Sequence, residues 1–416
     1  MKRITCMILA LVLAFGATGA VFAAEPASAA QPAMTFAAEP ALVVASEPMS
    51  GGTPVLISAP VATIPSLDAI AFEGPAIEVD MEAVIEHRLT EGPAIELALI
   101  NKRSDEAVAR GYREALDLLS FAAPGSLNTK LTEMTRDFAR ANLDTNHEAA
   151  LNKIRKDGAE LFLNTFRVQE YRRVAEEDLA ATALTLKNVQ RKFELGAASR
   201  LDVMTATNAK LAAEKALAEA KVGHAGALMN FNMEMGYPLL QDAVLKADLT
   251  VPALPAVDLD ASIASALAKR NEVGGVKFAF DIQDASFRNA KLTKHPLSSD
   301  YKKQEVAWLK AKQAADTIEN QIRADVMLKH MGLAQKHLAA LAAESTANLA
   351  KEAYRIAQLS YGAGLNTLAD LQAAEVAAGQ AGIMAIGAVT DLTLALLEFD
   401  FAAGVGTFRI SLSGDE

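Results

Sequence analysis

The chain has 416 residues, of which 51% are hydrophobic, 22% charged and only 6% aromatic, so a large core must be built from small aliphatic side chains. A formal net charge of -11 excludes a general binder of nucleic-acid backbones, which needs clustered Lys and Arg. Alanine is abundant from end to end, and such a composition suits long, closely packed helices better than sheets.

Lys2 and Arg3 precede an apolar stretch from Ile8 to Phe15, followed by Val21, Phe22 and Ala23 as a cleavage site. This is the pattern of a secretory signal over 1–23, giving a mature start at Ala24. The only cysteine, Cys6, lies ahead of the apolar stretch, where lipidation does not occur, so the mature chain carries no thiol chemistry. No later segment has about 20 uninterrupted apolar residues, and no transmembrane helix is predicted. Residues 24–75 are rich in Ala, Pro and Ser, with Pro26, Pro32, Pro40, Pro48, Pro54, Pro60 and Pro65 spaced along them. Proline at that density blocks helices and ladders and predicts an extended tether.

From residue 82 onward helix breakers are few: Pro124-Gly125, Gly196, Gly236 to Pro238, Pro252 to Pro255, Pro296, and Gly362 to Gly364. They delimit predicted helices over 82–122, 127–193 and 200–235, then 259–293, 298–360 and 366–403. A tandem duplication underlies this plan. Gly196 pairs with Gly364, Asp202 with Asp370, Phe231 with Phe399 and Gly236 with Gly404, always at an offset of 168 positions. Phe193 with Tyr361, Ser199 with Thr367, and Ala98-Leu99 with Ala266-Leu267 keep the same register. One gapless offset over this span defines two repeats, 76–240 and 241–416.

In the last helix Leu371, Ala374, Ala378, Ala381, Ala385, Ala388, Leu392, Ala395 and Phe399 recur at alternating steps of three and four. That seven-residue period puts one narrow stripe against a neighbouring helix, and its alanines admit close backbone approach. In the first repeat Lys210 and His224 interrupt the stripe. They are expected at the seam edge with polar tips in water. At both hairpin turns a glycine can take the positive φ that reverses the chain. Thr367 or Asn366 then caps the following helix and Asp370 sits in its first turn, where the helix dipole favours an anion; Ser199 and Asp202 repeat the arrangement.

No phosphate-cradling loop, HExxH, paired-cysteine site or GxSxG elbow is present. His330 and His337 lie seven apart without acidic partners at four-residue spacing. They are expected as solvated or seam-edge histidines and not as metal ligands. No nucleophile has a base beside it, and neither catalysis nor a cofactor is expected.

The segments YGAGLNTLADL (361–371) and FELGAASRLDV (193–203), together with MGYPL (235–239) and EFDFAAG (398–404), resemble the TolC family of outer-membrane efflux proteins over essentially the whole chain after residue 82. The resemblance implies duplicated long-helix hairpins that assemble as a homotrimer into an α-helical barrel. It implies that a membrane-fusion adaptor of an inner-membrane ABC or RND-type pump docks at the turns Gly196, Ala197, Ala198, Ser199 and Gly364, Leu365, Asn366, Thr367. Asp202 and Tyr361 match a pair that helps hold the aperture shut, and Asp370 matches an acidic ring at its constriction. Ala373 stands where some members place a second acidic ring, and Asn366 where some have a basic residue. The family inserts two β-strands between the first and second helices of each repeat. Residues 122–126 and 292–299 are too short for them and lack the alternating pattern of a membrane strand. The expected architecture is therefore an all-α tunnel with no or minimal β-barrel, exported to the cell envelope. A coiled-coil scaffold without a lumen is the alternative. Phe121, Tyr301 and Trp308 near those turns are candidates for contact with lipid or protein, or for ordinary core aromatics.

Overall fold

The computed structural model describes residues 72–410 and 412. The expected signal, Cys6 and the Pro-rich stretch up to residue 71 lie outside the described residues. The elements in chain order are β1 (Glu73–Val79), α1 (Met81–Thr90), α2 (Pro93–Ala122), α3 (Leu127–Ala141), α4 (Leu143–Glu194), α5 (Arg200–Met235), β2 (Gln241–Leu245), α6 (Leu259–Lys269), α7 (Asn271–Thr293), α8 (Ser299–Gly362) and α9 (Leu368–Ala403). The fold is all-α and duplicated, built from long hairpins.

Local chemistry sets most helix starts. Asp80, Ser126, Asp258 and Ser298 each accept the backbone N–H three residues on, which satisfies a donor the helix leaves open. Three predicted helices are divided. Gly92, at φ 115°, followed by Pro93 at the first helical position separates α1 from α2. Asn142, whose amide donates to the Phe138 carbonyl at 2.8 Å, interrupts the path from α3 to α4. Arg270 leaves the helical region between α6 and α7 and pairs with Glu272 and Asp325. Even so, α4 runs 52 residues and α8 runs 64, about 80 and 95 Å at helical rise.

The one sheet among the described residues was not expected: β1 and β2 pair in parallel, joining the start of the first repeat to the start of the second. β1 begins inside the stretch predicted as tether and tolerates Pro75 because its register is irregular between Glu73 and Ile77. No strand occupies the connections at 123–126 and 294–298, which are short turns.

The long helices form one layer in the order α8, α9, α4, α5. Between α8 and α9, Leu333 and Ala340 share a core with Leu392 and Phe399. Between α9 and α4, Glu398 meets Lys156 at 3.1 Å, and Asp391 lies 3.6 Å from Arg167. Between α4 and α5, Phe162, Leu163 and Phe166 pack against Leu228 and Phe231. By length and composition alone α9 could cross a membrane, with a mean hydropathy of 1.6 over its best window. It lies between α8 and α4 instead, so its apolar character serves two helix contacts at once.

The C-terminal residues return to the first repeat. Asn146 donates to the Ile410 carbonyl and accepts from its N–H, Asn152 donates to the Gly406 carbonyl, and Arg409 pairs with Asp105 at 2.7 Å. Buried asparagines thus pair the backbone of a segment that has no helix of its own.

Candidate functional site

The two hairpin turns lie side by side at one end of the layer. Val189 of α4, Ala206 of α5 and Leu368 of α9 form a small core there, with Val203 and Tyr361 against it. Gly196 and Gly364 have φ of 72° and 76°, the left-handed conformation that ends a helix cheaply only with glycine. The Leu365 N–H reaches back to the Ser360 carbonyl at 2.9 Å, and the Ala197 N–H to the Lys192 carbonyl at 2.7 Å, closing the last turn of each helix.

Each hairpin's second helix then opens with a reciprocal cap. The Ser199 hydroxyl accepts from the Asp202 N–H, while Asp202 Oδ2 accepts from the Ser199 N–H and hydroxyl at 2.8 Å each. Thr367 and Asp370 repeat this pattern, with the Thr367 hydroxyl donating at 2.7 Å. Thr367, not Asn366, is the cap. These bonds hold both carboxyls below the ordinary aspartate range, so both stay ionised at the exposed end of the molecule.

Tyr361 is held by Lys192, whose ammonium donates to the Tyr361 carbonyl at 2.7 Å and sits 3.9 Å from its ring centroid. Burial first, and the Asp202 charge second, raise the Tyr361 phenol. Lys192 is the tip residue that sequence reading passed over; only the fold brings α4 to α8. A cleft of about 370 Å³ beside this pair is lined by Thr185, Asn188 and Arg191 of α4, Gln358 of α8 and Leu371 of α9. The turn residues themselves are almost all exposed, with Leu195 and Leu365 presented to solvent at 83% and 80%.

Deeper in the same seam, the Tyr354 hydroxyl donates to Glu375 at 3.2 Å. Glu375 is 6% exposed, and Asp178 approaches from α4. Of the two residues that break the first repeat's stripe, Lys210 is partly exposed and pairs with Glu214 at 2.7 Å. His224 departs from expectation: it is buried, because Arg172 of α4 covers it at 3.5 Å, and burial, then Arg172, lowers its pKa. Phe121 stands almost fully exposed, whereas Tyr301 and Trp308 pack on Phe287.

The open edges of the layer complete the geometry. On α8 the residues Leu328, Met331, Leu338, Leu349, Ile356 and Leu359 are all at least half exposed and follow the three-and-four spacing of a second apolar stripe, away from α9. On α5 Leu201, Met204, Leu211, Val222 and Met233 do the same. The stripes match in level. Leu201 and Leu359 each lie 5 residues from their turn glycine, Met204 and Ile356 each 8, Leu211 and Leu349 each 15, and Val222 and Leu338 each 26.

No protein-family model matches the sequence, and comparison with curated protein sequences finds no match either. Solved structures do match. A membrane protein from Pseudomonas aeruginosa is 14% identical, with a TM-score of 0.60 over 87% of this chain and 98% of that one. The outer membrane protein VceC from Vibrio cholerae is 13% identical, with 0.59 over 79% and 97%. The Campylobacter jejuni outer membrane channel CmeC is 12% identical, with 0.56 over 80% and 87%. The chain therefore has the doubled helical-hairpin fold of the TolC-type channels, and among its described residues that fold carries no barrel strands.

Proposed function

We propose that the protein is the helical duct of an envelope export system, three copies closing into a tube whose turn end docks a pump adaptor. The observation that carries this reading is the pair of level-matched apolar stripes on the two outer helices, α8 and α5. They differ from each other, so the contact they favour is head-to-tail, which closes a ring when the rotation allows. Because α8 runs toward the turns and α5 away from them, α8 of one copy and α5 of the next would meet as an antiparallel coiled coil. Three copies give twelve helices. At 8–10 Å per helix the ring measures roughly 30–38 Å across its helix axes, which leaves a water-filled centre.

In this assembly the turns Gly196 to Ser199 and Gly364 to Thr367, with Leu195 and Leu365 beside them, form the adaptor-docking rim. Three Asp370 carboxylates near one axis favour cations over anions. The duct is passive. An adaptor that binds better when the two hairpins part shifts the closed state, held by Lys192 on Tyr361 and by the Leu368 core, toward an open one. The likeness to outer membrane channels supports an envelope location, and the reading takes a pump of the ABC or RND type as the partner.

Paired cysteines test the assembly, since the only native cysteine is Cys6. Oxidation of a chain carrying both Val222→Cys and Leu338→Cys should give a ladder that ends at three chains, while each single variant stays uncoupled. A product that never exceeds one chain, or a ladder that runs on without closing, would overturn the tube. A closed trimer with a solid centre would instead support the lumen-free scaffold.

A further inference from the structure

The end of α8 opposite the hairpin turns carries a surface that the duct reading does not use. Leu292 in the last turn of α7 and Leu297 in the α7–α8 turn are 87% and 83% exposed, and Phe121 at the end of α2, beside the α2–α3 turn, is 94% exposed. Both turns face the same way, because α3 and α7 pack antiparallel. Phe138 stacks on Phe278 at 4.0 Å, and Leu131 shares a core with Phe278 and Ile282. These apolar side chains stand almost fully exposed at the chain reversals.

Around the α7–α8 turn the charge is inverted relative to the chain. Residues 284–312 hold seven Lys or Arg and three Asp or Glu, a local net of +4 in a protein of -11. Arg288, Lys294 and Lys302 are each matched by a carboxylate. Lys291, Lys310 and Lys312 make no ion pair among the described residues, and Lys303 acts on Asp300 without a close contact. An aromatic platform fixes the base of the turn. Phe287 lies 5.2 Å from Trp308 and 5.5 Å from Tyr301, Trp308 donates to Asp284 at 3.0 Å, and the Lys291 ammonium sits 4.4 Å from the Phe287 ring.

We propose that this end is a membrane-surface contact, Leu292 and Leu297 entering the interfacial layer of a bilayer while unpaired lysines meet anionic headgroups. Exposed apolar tips in a basic collar above an aromatic platform match the layered polarity of a bilayer interface. The excess of lysine beside these leucines favours an anionic lipid surface, which deforms around exposed apolar side chains, over a folded partner with a pocket for each leucine.

The test uses the exported full chain with vesicles of phosphatidylcholine alone or mixed with phosphatidylglycerol. Trp308, the only tryptophan in the chain, reports contact directly through its emission. Expected are binding to the mixed vesicles and a shift of Trp308 emission to shorter wavelength. Leu292→Ser with Leu297→Ser, and separately Lys291→Gln with Lys303→Gln, should each weaken binding roughly tenfold. Leu195→Ser with Leu365→Ser, at the far end, should leave it unchanged. All these side chains are exposed or at the surface, so folding is spared. Absence of binding to mixed vesicles, equal binding to phosphatidylcholine, or equal loss from the far-end pair would overturn the proposal.

Discussion

At the scale of single residues, Glu375 is the group with the strongest consequence for conditions. Burial, and then the Asp178 charge, raise it from an ordinary 4.5 to about 7, although the Tyr354 hydroxyl bond works the other way. The fold therefore favours the protonated carboxyl. Stability from this group is full below the unfolded value and is lost as pH rises through the folded one. Thermal unfolding should accordingly show the chain more stable at pH 5 than at pH 8, by roughly 2 to 3 kcal/mol if Glu375 acts alone. Glu375→Gln should flatten that difference, and identical pH curves for the two proteins would rule the assignment out. The contrast with the caps explains what sequence could reveal. Ser199 with Asp202 and Thr367 with Asp370 are legible because both partners lie within one turn of backbone. Glu375 and His224 are not, because the helix that covers each is α4, remote along the chain from Glu375 and approaching His224 only after the hairpin closes.

Among elements, the glycine reversals were readable and the helix interruptions only in part. Gly364 adopts a left-handed φ, and an added Cβ there would meet nothing within 4 Å. The cost of Gly364→Ala is then conformational alone, about 1 kcal/mol, and Gly364→Asn should cost less because Asn tolerates this region better. Denaturant midpoints measure both, and an unchanged midpoint for the alanine variant would remove the argument. By contrast, Arg270 has no breaker chemistry of its own. It leaves the helix because its guanidinium is recruited by Glu272 and by Asp325 of α8, a tertiary contact outweighing local propensity. β1 was hidden for a similar reason. A short segment containing Gly74 and Pro75 becomes a strand only because β2, beyond the whole first repeat, supplies its partner.

For the whole molecule, the duplication was legible from one offset, but the lateral order α8, α9, α4, α5 was not, since it rests on contacts between repeats such as Glu398 with Lys156. That order decides which stripes are left over. The stripe of α9 is spent inside the protomer, whereas those of α8 and α5 remain at the edges, and this asymmetry separates assembly from folding. Leu338 and Leu349 are 66% and 73% exposed in the single chain, so exchanging both for Asp removes little packing from it and should change its own stability by only some tenths of a kcal/mol. In a ring the same two carboxylates would be buried against Val222 and Leu211 of the next copy, where unpaired charge costs several kcal/mol at each contact. The variant should therefore keep its helical circular dichroism while its mass by light scattering falls from three chains to one. Placing Lys at Val222 and Leu211 in the same chain should restore the larger mass, because every copy would then present an acidic α8 edge to a basic α5 edge. If the Asp variant retains the mass of the native protein, the edges are not the contact, and the tube must close through some other face or not at all.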